Sequence, residues 1–335
     1  MADRFDYPMN VPVALIFFAR PDLLKITFEA VRLAKPNKLF LIQDGPRINN
    51  ENDKVNIEKC RNIVDAIDWQ CEVYKNYSEE NLGCGRRVSS GIKWVFEHVD
   101  RLLVLEDDCV PAQSLFPFTE ELLEKYKNDD RIGMICGMNN LGVYEEAPND
   151  YFFTTSGSIW GWATWKRVWD NFEYNLEFLD DSYSTDLVFK TEKKLEPLSD
   201  YITKNLKEGK KLTSWTFQLG MSMFLQSQLN IVPKYNLISN IGMAEDGANS
   251  VSSLKFMPKG LRRLYFMKTY TLKFPLKHPK YIVNDTIFKK KLDRLMANGH
   301  PFVKFYRLLE SITYRIFGGD FSSIIKGFKR RFLKN

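Results

Sequence analysis

Histidine is scarce, with three residues in 335, which rules out a histidine-built metal centre. The five cysteines (Cys60, Cys71, Cys84, Cys109 and Cys136) are odd in number and form no Cys-x-x-Cys pair. That argues against a zinc ribbon or a disulfide framework and for reduced thiols in a cytosolic protein. No stretch approaches the roughly 18–20 uncharged apolar residues that span a bilayer. The opening MADRFDYPMN lacks the charged-then-apolar profile of a secretory signal, so a cytoplasmic location is expected. Internal repeats and low-complexity tracts are also missing. The first strand–helix junction, FFARPDLLK, contains no glycine, which argues against a glycine-rich phosphate loop at that point.

Charge is present but unevenly placed. Residues 251–335 carry 20 Lys+Arg against 4 Asp+Glu, a balance of +16. The totals of 48 and 42 leave 28 basic and 38 acidic residues in the first 250, a balance of −10. An acidic body with a basic tail suits a polyanionic partner. The last stretch, FSSIIKGFKRRFLKN, mixes cations with apolar residues and is expected to lie on an anionic membrane surface, peripheral at the inner face. Nucleic acid is the weaker expectation, because it would leave the acidic motifs of the body idle.

Buried-strand patterns at 11–20, 38–47, 71–77 and 101–106 alternate with helical spacing at 21–34, 56–67 and 86–99. This alternation predicts a mainly parallel sheet covered by helices, an α/β Rossmann-like fold. Further on, helices are expected at 114–129 and 211–228, a strand at 131–139 and short strands in 229–240. Residues 173–210 are expected to be helical and peripheral. The charge reversal places a boundary near 250, between a catalytic domain (1–250, with halves 11–111 and 112–250) and a basic helical extension (251–335).

Ligands of open parallel sheets sit beyond the carboxyl ends of the strands. Three strand ends deliver polar groups there: Arg20, Asp44 and the triplet Glu106-Asp107-Asp108 in RLLVLEDDCVP. Burying a strand that ends in three adjacent carboxylates is costly unless a cation meets them. Vicinal carboxylates suit a hard divalent ion, Mg2+ or Mn2+, and magnesium in particular takes its remaining ligands from water and substrate phosphates.

FFARPD, LIQDGPR, ENLGCGRRVSSGIKWVF, LVLEDDCVP, GSIWGWATW and NLISNIGMAEDGANS follow one another in the order of a known family. Over residues 11–250 the chain resembles bacterial GT-A-type nucleotide-sugar glycosyltransferases, related to the eukaryotic N-acetylglucosaminyltransferase of N-glycan processing. The resemblance implies a metal-dependent, UDP-sugar-using, inverting transferase acting on a glycan or lipid-linked acceptor in bacterial surface polysaccharide synthesis. It further implies donor contacts from Arg20, Asp44, Arg87, Glu106 and Asp107, and a metal ion on Asp108. Trp162, with Trp215 and Thr216, would border the sugar and acceptor.

One motif departs from the family. Relatives carry an aspartate after the tryptophan of the 211–228 helix, and this chain reads SWTFQ, with Thr216 in its place. A threonine hydroxyl is no general base near neutral pH. Glu245 or Asp246 is therefore the expected base. The alternatives are a nucleotide-sugar-binding protein with impaired transfer and a sugar nucleotidyltransferase.

Overall fold

The computed structural model describes residues 9–192, 195–210, 214–243 and 254–324. The first half runs β1 (Val13–Phe17), α1 (Pro21–Ala34), β2 (Lys38–Gln43), α2 (Glu51–Val64), β3 (Glu72–Tyr77), α3 (Cys84–Val95) and β4 (Arg101–Glu106). Then come β5 (Cys109–Pro111), α4 (Leu115–Lys125), β6 (Ile132–Cys136), β7 (Tyr151–Thr154), β8 (Trp162–Trp165) and α5 (Lys166–Trp169). Two peripheral helices, α6 (Ser182–Thr191) and α7 (Glu196–Lys207), precede α8 (Thr216–Leu225), β9 (Leu229–Pro233) and β10 (Ile238–Asn240). The C-terminal part adds α9 (Lys259–Arg262), α10 (Thr286–Met296) and α11 (Pro301–Phe317).

Eight strands form one sheet in the order β3-β2-β1-β4-β8-β6-β9-β7, and β10 pairs with β5 in a second, two-stranded one. The pairs β3–β2, β2–β1 and β1–β4 are all parallel. Burial explains their composition: Val13 to Phe17 and Leu102 to Leu105 are buried throughout, as strands covered on both faces must be. Antiparallel β8 then separates β4 from β6. The chain is thus a mixed α/β protein whose Rossmann-like half is flanked by helices.

Strand order places the site. The chain steps outward from β1 to β2 to β3 through α1 and α2, then returns to the other side of β1 through α3. Right-handed crossovers put α1 and α2 on one face and α3 on the other. The reversal falls between β1 and β4, and that is where a crevice opens at the carboxyl edge of such sheets.

The reversal of charge near 250 is not a packing boundary. Leu264, Leu272, Leu276, Phe288 and Leu292 belong to the same buried core as the sheet. The Phe288 ring packs on Phe152 and Tyr144, with centroids 4.7 and 5.2 Å apart. Asp285 donates its N–H to the Phe153 carbonyl at 2.7 Å and caps α10 by accepting from the Phe288 N–H at 2.8 Å. The described segment 254–296 is therefore part of the body. Among the described residues, no helix is long and apolar enough to cross a membrane. The FSSIIKGFKRRFLKN expectation falls mostly on 325–335, outside them.

Candidate functional site

Register fixes the site before any side chain is considered. Ile16 of β1 lies opposite Glu106 of β4, and Phe17 opposite Gln43 of β2. Arg20, Asp44 and the triplet therefore leave the sheet at one edge. The connection from β1 to α1 is only Phe18-Ala19-Arg20, with Pro21 opening the helix. Proline suits that first position because the N–H it lacks would have no helical partner.

In this structure the cation facing the triplet is Arg20. Its guanidinium pairs with Asp107 and reaches Asp108 Oδ2 at 2.9 Å. The Asp107 side chain is 3% exposed while that of Arg20 is 43% exposed, so the arginine is the reachable member of the pair. Asp107 also accepts from the Phe18 N–H at 3.3 Å, and its carbonyl accepts from the Thr27 hydroxyl of α1 at 2.9 Å. Burial pushes the Asp107 carboxyl up to about 6 although Arg20 pulls the other way. Burial pushes Glu106 up to about 8, with the charges of Asp108 and Asp107 adding to it. No hydrogen bond from the described residues reaches the Glu106 carboxylate. If all three ionise, the triplet with Arg20 carries a formal charge of −2, the complement of a divalent cation.

Asp108 is held from the second, small sheet. Its Oδ1 accepts from Asn240 Nδ2 at 3.2 Å and faces the Cys109 thiol at 3.4 Å. Gly242 presses against the other oxygen: a Cβ there would fall 2.2 Å from Asp108 Oδ2. The turn after β10 has thus shaped a close cradle around one carboxylate oxygen. Among the described residues, no three His, Cys, Asp or Glu side chains group in a way that could hold a metal ion. Asp108 and Glu106 are the carboxylates of this corner that could hold a hard divalent ion, which needs only one or two protein carboxylates.

Several expected residues sit differently from expectation. Asp44 is buried, accepting from the N–H groups of Gly45, Leu82 and Gly83 at 3.0, 2.8 and 2.9 Å. It fastens the end of β2 to the loop before α3 and retains part of its acceptor capacity. Arg87 is not open to a nucleotide. It is buried, donating to the Gln43 carbonyl at 3.1 Å and to Asn76 Oδ1 at 2.8 Å, because the ends of β2 and β3 offer acceptors that must be satisfied. Trp162 does not line the crevice either. Antiparallel β8 places it between Val104 and Cys136 with no exposed surface, its ring 5.5 Å from the equally buried Trp215. Thr216 is exposed at the start of α8, its hydroxyl 2.8 Å from that of Ser214. Glu245 and Asp246 lie outside the described residues.

The residues that reasoning from sequence missed are Asn240, Gly242 and Tyr265, while the block GSIWGWATW pointed to Trp162 ahead of its neighbour Trp160. Tyr265 bridges to Asn240, and burial together with the Asp108 charge raises its phenol. Its ring stands 5.1 Å from that of the half-buried Trp160. An aromatic pair therefore borders the Asp108 cradle.

No protein-family model matches the chain, and no curated protein does. Among solved structures it is similar to the 4-diphosphocytidyl-2C-methyl-D-erythritol synthase of Anaerococcus prevotii. Identity is 13%, coverage is 55% of this chain and 83% of that one, and the TM-score is 0.31.

Proposed function

We propose that this protein is a metal-dependent glycosyltransferase that moves a sugar from a nucleotide donor, UDP-linked, onto a glycan or lipid-linked acceptor. The observation that carries the reading is the meeting of Arg20, Glu106, Asp107 and Asp108 at the strand-order reversal, with Asp108 cradled by Asn240 and Gly242. A bound divalent ion would supply Lewis-acid neutralisation of charge on the departing diphosphate.

The chain's own residues have distinct roles in this reading. Asp108, aided by Glu106, would hold a divalent ion. Arg20, half exposed beside two buried carboxylates, grips phosphate oxygens with its planar fork. Asp44 offers its remaining acceptor capacity to the base. Trp160 and Tyr265 present ring surface to the apolar side of a pyranose. Glu245 or Asp246 takes the proton from the acceptor hydroxyl, a task Thr216 cannot perform.

Thermal-shift titration with UDP-sugars, with and without Mn2+, tests the reading. The expected result is a metal-dependent rise in melting temperature with one UDP-sugar, lost in Asp108→Asn. Equal shifts in the variant and the wild type would refute it. A sugar nucleotidyltransferase would instead bind a nucleoside triphosphate with a sugar phosphate and release pyrophosphate. The three-residue, glycine-free β1–α1 connection speaks against that chemistry. A protein that binds the donor without transferring it would show the thermal shift and no product.

A further inference from the structure

Helix α11 is built inside out. No residue of it is buried, yet its polar side faces the body. Ser311 Oγ donates to the Phe256 carbonyl at 2.9 Å, and Glu310 accepts from the Lys259 N–H at 3.2 Å. Arg307 donates to the Leu295 carbonyl, and Arg262 lies 5.3 Å over the Tyr314 ring. At about 100° per residue, these contacts define the inward half of the helix.

The outward face is apolar apart from the exposed Thr313. Phe302, Phe305, Tyr306, Leu309, Ile316 and Phe317 fall within an arc of about 120°, and all six are exposed. Phe302 and Phe317, at the two ends of the stripe, are each 87% exposed. With a rise of 1.5 Å per residue the stripe is about 22 Å long. Scattered exposed apolar residues need no explanation, whereas a continuous stripe on one helix marks a docking surface.

Charge decides what docks there. From residue 251 onward the chain carries 20 basic and 4 acidic residues. Two copies meeting through this segment would bring like charges together. An anionic lipid surface offers the opposite sign and an apolar layer to receive the stripe. We propose that α11 lies along an anionic phospholipid bilayer, its stripe in the acyl boundary and the net positive charge of residues 251–335 supplying the attraction to the phosphates. This goes beyond the transferase reading and does not depend on it.

The test is cosedimentation of the full chain with phosphatidylglycerol-containing vesicles, against pure phosphatidylcholine vesicles, at low and at physiological salt. The wild type is expected to pellet with the anionic vesicles only, less strongly as salt rises. The triple variant Phe302→Ser, Phe305→Ser, Phe317→Ser is expected to lose at least about tenfold in partitioning, with an unchanged melting temperature. Equal pelleting of variant and wild type overturns the proposal, as does a wild type that stays in the supernatant. So does a wild-type dimer in sedimentation velocity that the triple variant makes monomeric, since a second copy would then own the face. A lowered melting temperature of the variant also counts against it, because the stripe would then be packing within the protein.

Discussion

Removing the Arg20 guanidinium should cost little stability in acid and much more above neutrality. In Arg20→Met the buried Asp107 loses its cation and Asp108 loses a contact of 2.9 Å. Breaking one side of a buried pair costs about 3–5 kcal/mol. Because the arginine side chain is 43% exposed, water screens part of that loss, and about 2–3 kcal/mol is the expected penalty at pH 8. The pH dependence follows from Asp107, whose carboxyl is raised from 3.8 to about 6 in the folded protein. A raised carboxyl means that the folded state holds its proton longer than the unfolded chain does. Stability therefore falls as pH climbs from the unfolded value through about 6. Below that window Asp107 is neutral and has little to lose when the arginine goes. In the variant the carboxyl rises further, so the penalty extends to higher pH. Urea unfolding of wild type, Arg20→Met and Arg20→Met/Asp107→Asn between pH 4.5 and 8, with chelator present, measures this directly. A penalty equal at both ends, or one that Asp107→Asn does not relieve, would refute the electrostatic account of the triplet.

Gly242→Ala places a methyl group 2.2 Å from Asp108 Oδ2 and must turn the carboxylate away. Metal-dependent nucleotide binding should weaken by at least about tenfold, near 1.4 kcal/mol, in calorimetry, while unfolding in chelator changes far less. Phe288→Ala should destabilise the whole chain by about 3–5 kcal/mol in denaturant titration, as befits a core residue; a loss below 1 kcal/mol would restore the boundary near 250. Of Glu245→Gln and Asp246→Asn, at least one should cut transfer by about a hundredfold without altering donor affinity. Wild-type rates in both would remove them as the base, and a gain in rate for Thr216→Asp would show where a base is missing.

Local signals made the first half of the sheet legible. The run Val13–Phe17 and the helical spacing of Pro21–Ala34 lie where the pattern puts them. Helix α2 begins at Glu51 rather than near 56, because its first turn is polar and carries no apolar period. Acidic residues such as Glu51 and Asp53 are at home in that turn. The strands YFFT and WATW were not visible, since four residues among aromatic neighbours show no alternation long enough to read. The burial of Arg87 and Trp162 depends on neighbours far along the chain, Gln43 for one and Trp215 for the other. Asn240 and Gly242 stood inside the block NLISNIGMAEDGANS, yet their neighbour Asp108 lies 132 positions from Asn240. Tyr265 escaped notice because charge, not packing, assigned it to the tail.

Helix α1 grasps the carboxylate turn twice, through Arg20 just ahead of its first residue and through Thr27 two turns along. Such a two-point grip works as a splint. On the proposed reading, a diphosphate would meet a corner already rigid, so little ordering would remain to be done on arrival. Selectivity would then come from the fit of a fixed mould, and any slackening of the splint would be felt as faster escape of the guest.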